Sequence, residues 1–315
     1  MTEPIARRQF LKVSGLAAAG VLTMSCNQPK ESGSATSSGS EQPSSPYASK
    51  YPRLLPGCTA YSYSSYLSKG KMTMEEFLQK AVEVKTIGVD ITTYWLKSTD
   101  PAYLVSLRHL AFKNGLPLSG IGVASEMCQS DASKRAAQVK LIKKWVDVAG
   151  ILGAPHIRVF GGDLPKGATL DQGIGWVAET MKVACDYSGK KGITLGIEDH
   201  GGITGKADTI LEILHKVDSP YAGINLDISN FDASSTEEQY SQIEACVPYA
   251  THTHIRDRFS DSHEPIDLDR VWRLFAAGGY KGYMSSEYEG KEDALTAVPK
   301  LMNQIETLCR KYSTV

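Results

Sequence analysis

Positive charge in excess, long apolar runs and paired cysteine spacings are all missing from this sequence. Lys and Arg number 34 against 35 Asp and Glu, a net charge of −1. That balance leaves no basic excess of the kind that grips a phosphate backbone, so no nucleic-acid partner is expected. The longest apolar stretch near the start, Val13 to Met24, is too short to span a bilayer stably. Of six cysteines, Cys26 lies in the leader and Cys58, Cys128, Cys185, Cys246 and Cys309 remain, an odd number with no C-x-x-C spacing. A disulfide scaffold would be smaller and denser in cysteine, so these five are read as buried thiols.

The leader carries an address. Arg7-Arg8-Gln9-Phe10-Leu11-Lys12 is a twin-arginine stretch ahead of the apolar run, which predicts a signal peptide over residues 1–26. Leu22-Thr23-Met24-Ser25-Cys26 resembles a lipoprotein signal, with Thr23 where Leu is usual; acylation of Cys26 after cleavage would attach the protein to a membrane. Residues 27–50 are almost entirely Ser, Gly, Gln, Pro, Glu and Lys, too poor in apolar groups to offset the entropy of ordering. They are expected to form a disordered linker. The expected location is the periplasm or cell envelope, and residues 51–315 have the length of one α/β domain.

Eight runs of strand character punctuate that domain: Cys58–Ser62, Val89–Tyr94, Leu118–Val123, His156–Phe160, Ile193–Glu198, Gly223–Asp227, Ala250–Ile255 and Gly282–Glu287. They recur roughly every thirty residues, the length of a strand, a loop and a crossover helix. Between them lie amphipathic segments with recognisable ends, such as the capping box Thr73-Met74-Glu75-Glu76 and the cap-proline pair Asp100-Pro101. This alternation predicts a (β/α)8 TIM barrel. An open doubly wound sheet fits less well, because no Gly-rich phosphate fingerprint follows the first strand.

In a closed parallel barrel, alternate residues point inward and the outward ones must be apolar to meet the helices. Ile193, Leu195 and Ile197 therefore face out, leaving Thr194, Gly196 and Glu198 inside. The same alternation places Asn225 and Asp227 inside, then His252, His254 and Arg256 (with Thr251, Thr253 and Ile255 outside), then Tyr283, Ser285 and Glu287. Three carboxylates and a histidine thus converge where barrel enzymes build active sites. Carboxylates so gathered repel one another unless a cation joins them. The set suits a divalent metal, Mn²⁺ by preference, with Mg²⁺, Co²⁺ or Zn²⁺ as alternatives. Near the mouth, His200, Tyr94, Glu126, Arg158 and Arg256 are the candidates for contacting a substrate.

The runs Gly196-Ile197-Glu198-Asp199-His200-Gly201-Gly202, Asn225-Leu226-Asp227-Ile228-Ser229-Asn230, His252-Thr253-His254-Ile255-Arg256-Asp257 and Tyr283-Met284-Ser285-Ser286-Glu287-Tyr288-Glu289-Gly290 resemble the sugar phosphate isomerase/epimerase family of the xylose isomerase-like barrel superfamily. The resemblance implies Glu198, Asp227, His254 and Glu287 as metal ligands, His254 over His252 because it stands three before Asp257. It also implies Glu198 and Glu287 as an acid/base pair on opposite faces of a substrate, a role in which a metal-polarised carbonyl acidifies the neighbouring C–H. Two positions bear on the chemistry. Asn230 stands where the epimerases and AP endonucleases of this superfamily have His. His200 follows Glu198 by one inward step and could serve as a base near neutral pH or as a partner of Glu198.

Three functions follow. The first is an isomerase or epimerase acting on a carbohydrate by proton abstraction beside a carbonyl, with a lyase or hydratase acting on 3-keto-glycosides as a variant on the same metal. Export favours a neutral sugar over a phosphorylated one. The second, AP-endonuclease repair, is disfavoured: Thr92, Tyr94, Ser125 and Glu126 stand where extra histidines would be needed. The third is a carbohydrate-binding lipoprotein without catalysis.

Overall fold

The computed structural model describes residues 52–313. The expected signal peptide, Cys26 and the linker lie outside the described residues. Eight parallel strands close in sequence order into a barrel, β1 pairing with β8 from Arg53↔Lys281 to Cys58↔Ser286. The strands are β1 Arg53–Thr59, β2 Gly88–Thr92, β3 Leu118–Gly122, β4 His156–Phe160, β5 Thr194–Glu198, β6 Ala222–Asp227, β7 Ala250–Ile255 and β8 Lys281–Ser286. The helices are α1 Ser64–Leu67, α2 Met74–Glu83, α3 Pro101–Lys113, α4 Ala132–Leu152, α5 Leu170–Ser188, α6 Ala207–Val217, α7 Thr236–Cys246, α8 Leu268–Ala277 and α9 Ala294–Tyr312. None among the described residues is long and apolar enough to cross a membrane.

Helix starts follow local chemistry. Thr73 and Glu76 close a reciprocal capping box on α2, Thr169 and Gln172 do the same on α5, and Asp100 caps α3 ahead of Pro101. Each cap satisfies backbone N–H groups that the first helical turn leaves free. The core lies between helices and barrel wall. Phe77 and Leu78 of α2, Val177 and Met181 of α5, and Trp272 and Phe275 of α8 are fully buried with Ile91, Ile157, Leu195, Ile197, Ile224 and Leu226 of the strands. Apolar area withdrawn in this layer is the main stabilising contribution. All five described cysteines are free and buried.

Three local expectations need correction, one being that Thr93 and Tyr94, expected to end the second strand, form a 3-10 turn. The first strand begins at Arg53, and the predicted strand residues Ala60 to Ser62 form a 3-10 turn. Thr251, expected to face the helices, turns its hydroxyl to Nε2 of the interior His156 at 3.0 Å. The β6–β7 register slips between Ile224 and Asn225, so strict alternation breaks at that point.

Candidate metal centre at the barrel mouth

Glu198 closes β5 and Asp227 closes β6; His254 is the penultimate residue of β7 and Glu287 follows β8 directly. Register brings them together, with Glu198 beside Asn225 and Asp227 beside His254. All four are buried, and one ligand atom from each lies within 4.8 Å of the others. His254 Nδ1 is 3.3 Å from Glu198 Oε2 and 3.4 Å from Glu287 Oε1. Donors bonded to a common ion at about 2.1 Å stand about 3.0 to 3.5 Å apart, so this spacing fits a divalent cation. Three oxygen donors and one imidazole are the chemistry such an ion accepts.

Cationic side chains surround the carboxylates. Arg256 lies 2.9 Å from Asp227 Oδ2 through Nε and 2.8 Å from Glu287 Oε2 through Nη2, and its Nη1 grips Glu289. On the opposite side, Arg158 Nε is 3.1 Å from Glu198 Oε2. Gly122 makes room for that guanidinium: a Cβ there would stand 2.8 Å from Arg158 Nη2. Neither Nε is aligned for a hydrogen bond, and Arg158 Nη1 has no partner among the described residues. Buried donors without partners are costly, and a ligand oxygen would relieve that cost.

Ionisation follows from these neighbours. Burial works to raise the Glu198 carboxyl, but the charges of Arg158 and His254 hold it well below the usual range. Burial works to lower His254, yet Glu287 and Glu198 push it up to about 10. Burial raises Asp227 to about 6 despite Arg256. Asp199 is driven well above the carboxylate range by burial and by the charges of Asp227 and Glu198, while its Oδ1 accepts the Asp227 N–H at 2.9 Å. Asp199 thus braces the Asp227 backbone.

The other candidates separate. His200 Nδ1 stands 3.4 Å from Glu198 Oε1, its ring stacks on Phe160 at 4.3 Å, and its side chain is half exposed at the mouth. Hydrogen bonding to Glu198 raises its pKa, with burial opposing. Tyr94 is 45% exposed and reaches Arg158. Glu126 stands apart, exposed on the loop after β3, with its backbone N–H donating to Gln138. His252 lies deeper, bonded to Ser119 Oγ at 3.0 Å and stacked on His156 at 5.1 Å. Burial lowers its pKa. With Asp90 and His254 it forms a second donor trio around a void of about 10 Å³, room for about one water.

Several supporting residues had no sequence signal of comparable strength. Asn225 Nδ2 donates to Glu198 Oε2 at 3.1 Å, Ser229 Oγ to Asp227 Oδ1 at 2.7 Å, and Asn230 Nδ2 to Asp227 Oδ2 at 2.9 Å. Asn225 was legible as inward-facing by alternation. Glu289 and Asp90 were not singled out, although both are carboxylates placed at a strand's mouth or interior.

The class is thus a closed (β/α)8 barrel with three carboxylates and a histidine gathered at the C-terminal ends of neighbouring strands. Residues 79–308 match the family model described as xylose isomerase-like TIM barrel, and the chain belongs to that family. A curated relative, an uncharacterised protein of Methanocaldococcus jannaschii, is 22% identical over 242 residues, covering 70% of this chain and 80% of its own. Among solved structures, the 3-keto-D-glucoside 4-epimerase of E. coli superposes with a TM-score of 0.63 at 14% identity over 81% of this chain and 99% of that one. A probable 3-DHS dehydratase of Bacillus anthracis gives 0.64 at 15% identity over 79% and 98%. An epimerase and a probable dehydratase thus share this fold.

Proposed function

We propose that this protein is an exported, divalent-metal-dependent enzyme that removes a proton next to a carbonyl on a neutral carbohydrate, giving isomerisation or epimerisation. The observation that carries the reading is the quartet Glu198, Asp227, His254 and Glu287, buried at the barrel mouth at cation-binding separations. A bound divalent ion, Mn²⁺ by preference, would polarise a substrate carbonyl and acidify the adjoining C–H. Glu198 and Glu287 flank His254 at 3.3 and 3.4 Å, which suits removal of a proton by one carboxylate and its return by the other. Arg158, with an unpartnered buried Nη1, offers hydrogen bonds to substrate oxygens, and Arg256 fixes Glu287. His200, half exposed beside Glu198, exchanges protons between that carboxylate and solvent.

A second reading, elimination or hydration on a 3-keto-glycoside, is favoured by Asn230. Its amide is committed to Asp227, where the epimerases resembled by this sequence carry His. In support, a 3-keto-D-glucoside epimerase and a probable dehydratase share the fold. Metal analysis of the purified domain, followed by a screen of free ketoses and 3-keto-glycosides in deuterated water, tests both readings. Deuterium entering an isomeric product supports epimerisation, and release of the aglycone supports elimination. Sugar affinity with neither deuterium uptake nor aglycone release would point to a binding protein. Release of the protein from membranes after Cys26→Ser would support the lipid anchor.

A further inference from the structure

Beside the metal centre the barrel mouth opens into a cleft of about 500 Å³ between the segment after β1 and the segment after β8. That volume lies within the range of small-molecule sites. None of the four quartet residues lines it, so it is not the space in which the reacting carbons would sit. It nevertheless adjoins that space through two shared residues. Glu289 lines the cleft and is gripped by Arg256, the guanidinium that also holds Asp227 and Glu287. Tyr61 lines it as well and packs on Trp95 at 5.5 Å; Trp95 in turn meets Tyr94 at 6.0 Å, and Tyr94 reaches Arg158. An aromatic row therefore runs from the cleft around the mouth to the Glu198 side.

The lining is rich in donors. Ser64 and Ser65 contribute hydroxyls, while Lys69, Lys71 and Lys291 contribute ammonium groups. Its acids are engaged elsewhere: Asp293 accepts from Tyr66 Oη and caps α9, Glu292 pairs with Lys300, and Glu289 pairs with Arg256. Hydroxyl and ammonium donors with an aromatic wall are what a sugar ring, apolar on its faces and polar at its edges, requires.

We infer that the cleft is a second subsite, and that the substrate is a disaccharide-sized glycoside whose reacting unit sits at the quartet while a second, glycosidically linked sugar unit occupies the cleft. This rests on the proposed reaction for the identity of the reacting unit, but the cleft itself is read from its own residues. Binding energy from the remote unit would raise kcat/KM for the longer substrate.

The test compares methyl 3-keto-glucoside with a 3-keto disaccharide of two glucose units on the full Mn²⁺-loaded protein and on Ser65→Trp. Ser65 is exposed, so the indole fills the cleft without entering the core. The wild type should favour the disaccharide in kcat/KM, and Ser65→Trp should lower the disaccharide-to-methyl-glycoside ratio at least about tenfold. Lys71→Ala, which removes a donor without adding bulk, should lower the ratio in the same direction. A ratio equal in wild type and Ser65→Trp overturns the subsite. Calorimetric affinities of the same two sugars keep the two proposals distinguishable. With no turnover of either sugar the reaction proposed above fails, yet tighter disaccharide binding that Ser65→Trp abolishes still supports the subsite. Equal affinity for both sugars in the wild type refutes it.

Discussion

Asn230 donates its side-chain amide to Asp227 Oδ2 at 2.9 Å. Ser229 holds the other oxygen of that carboxylate through both its hydroxyl, at 2.7 Å, and its backbone N–H, at 2.9 Å. Asp227 is thereby aimed before any ion arrives, and partners of this kind govern the affinity of a metal ligand. Asn230→Ala should weaken Mn²⁺ binding by about 10- to 100-fold, read by competition with an indicator chelator. Unchanged affinity would mean that Ser229 and Arg256 position Asp227 without Asn230.

The quartet was legible in the sequence because a barrel strand wrapped by helices must be apolar on its outward positions. Any carboxylate or histidine on the alternate positions is then assigned to the interior. Glu198, preceded by the outward-facing Leu195 and Ile197, is the clearest instance. The first strand starts earlier than its apolar pattern suggests, because it runs through Pro56 and Gly57, residue types that usually interrupt a strand. In the barrel the Pro56 carbonyl still accepts the Ile87 N–H at 2.9 Å, and Gly57 is needed because a Cβ would stand 2.3 Å from Ser285 Oγ. Thr251 was misassigned because a bulge cannot be seen from one strand's pattern. The engagement of Arg256 with Asp227, Glu287 and Glu289 depends on where long side chains meet across strands, which spacing does not encode.

Removing the metal should leave the fold intact. The acids of the quartet are already countered by Arg158 and Arg256, and His254, pushed up to about 10 by Glu287 and Glu198 against burial, is cationic at neutral pH. Loss of ligand binding costs about 2.7 kcal/mol at a hundredfold excess over Kd, or about 5–10 °C in Tm for a domain of this size. Calorimetry before and after chelation should show one cooperative transition displaced by that amount. Loss of the transition itself would mean that the ion is needed for folding.

Gly196 sits under Glu198 in a tight part of the interior: an added Cβ would lie 2.4 Å from His156 Nε2 and 2.9 Å from the Asn225 backbone nitrogen. The backbone contact cannot be relieved by a side-chain rotation. Gly196→Ala should therefore cost about 1–3 kcal/mol in urea denaturation. Because Asn225 also contacts Glu198, metal affinity should fall with it. A neutral effect on stability would show that β5 and β6 can move apart.

On the surface near the mouth, Glu238 ties Lys206, at 2.7 Å, to the Ser234 hydroxyl and backbone N–H. The hydrogen bonds from Lys206 and then Ser234 lower its carboxyl from 4.5 to about 2. A depressed carboxylate contributes stability that is present above its unfolded pKa and lost as pH falls towards the folded value. The Tm difference between wild type and Glu238→Gln should thus be constant from pH 7 down to about 5 and shrink between about 4.5 and 2. A difference independent of pH would assign the effect to packing instead of ionisation.

Glu287 offers the most direct test of the chemistry. Its backbone N–H donates to the Ile255 carbonyl at 2.8 Å, and Arg256 Nη2 holds its Oε2 at 2.8 Å, so the side chain has a fixed position from which to take or return a proton. Glu287→Gln keeps the size and removes the basicity. Exchange of solvent deuterium into a keto-sugar substrate should fall by about 10²- to 10⁴-fold, the usual contribution of a general acid or base. Metal content must be measured alongside, because Glu287 is also one of the four donors. Equal exchange rates in wild type and Glu287→Gln at matched metal occupancy would remove Glu287 from the proton-transfer step and leave Glu198, with His200 beside it, as the group to change next.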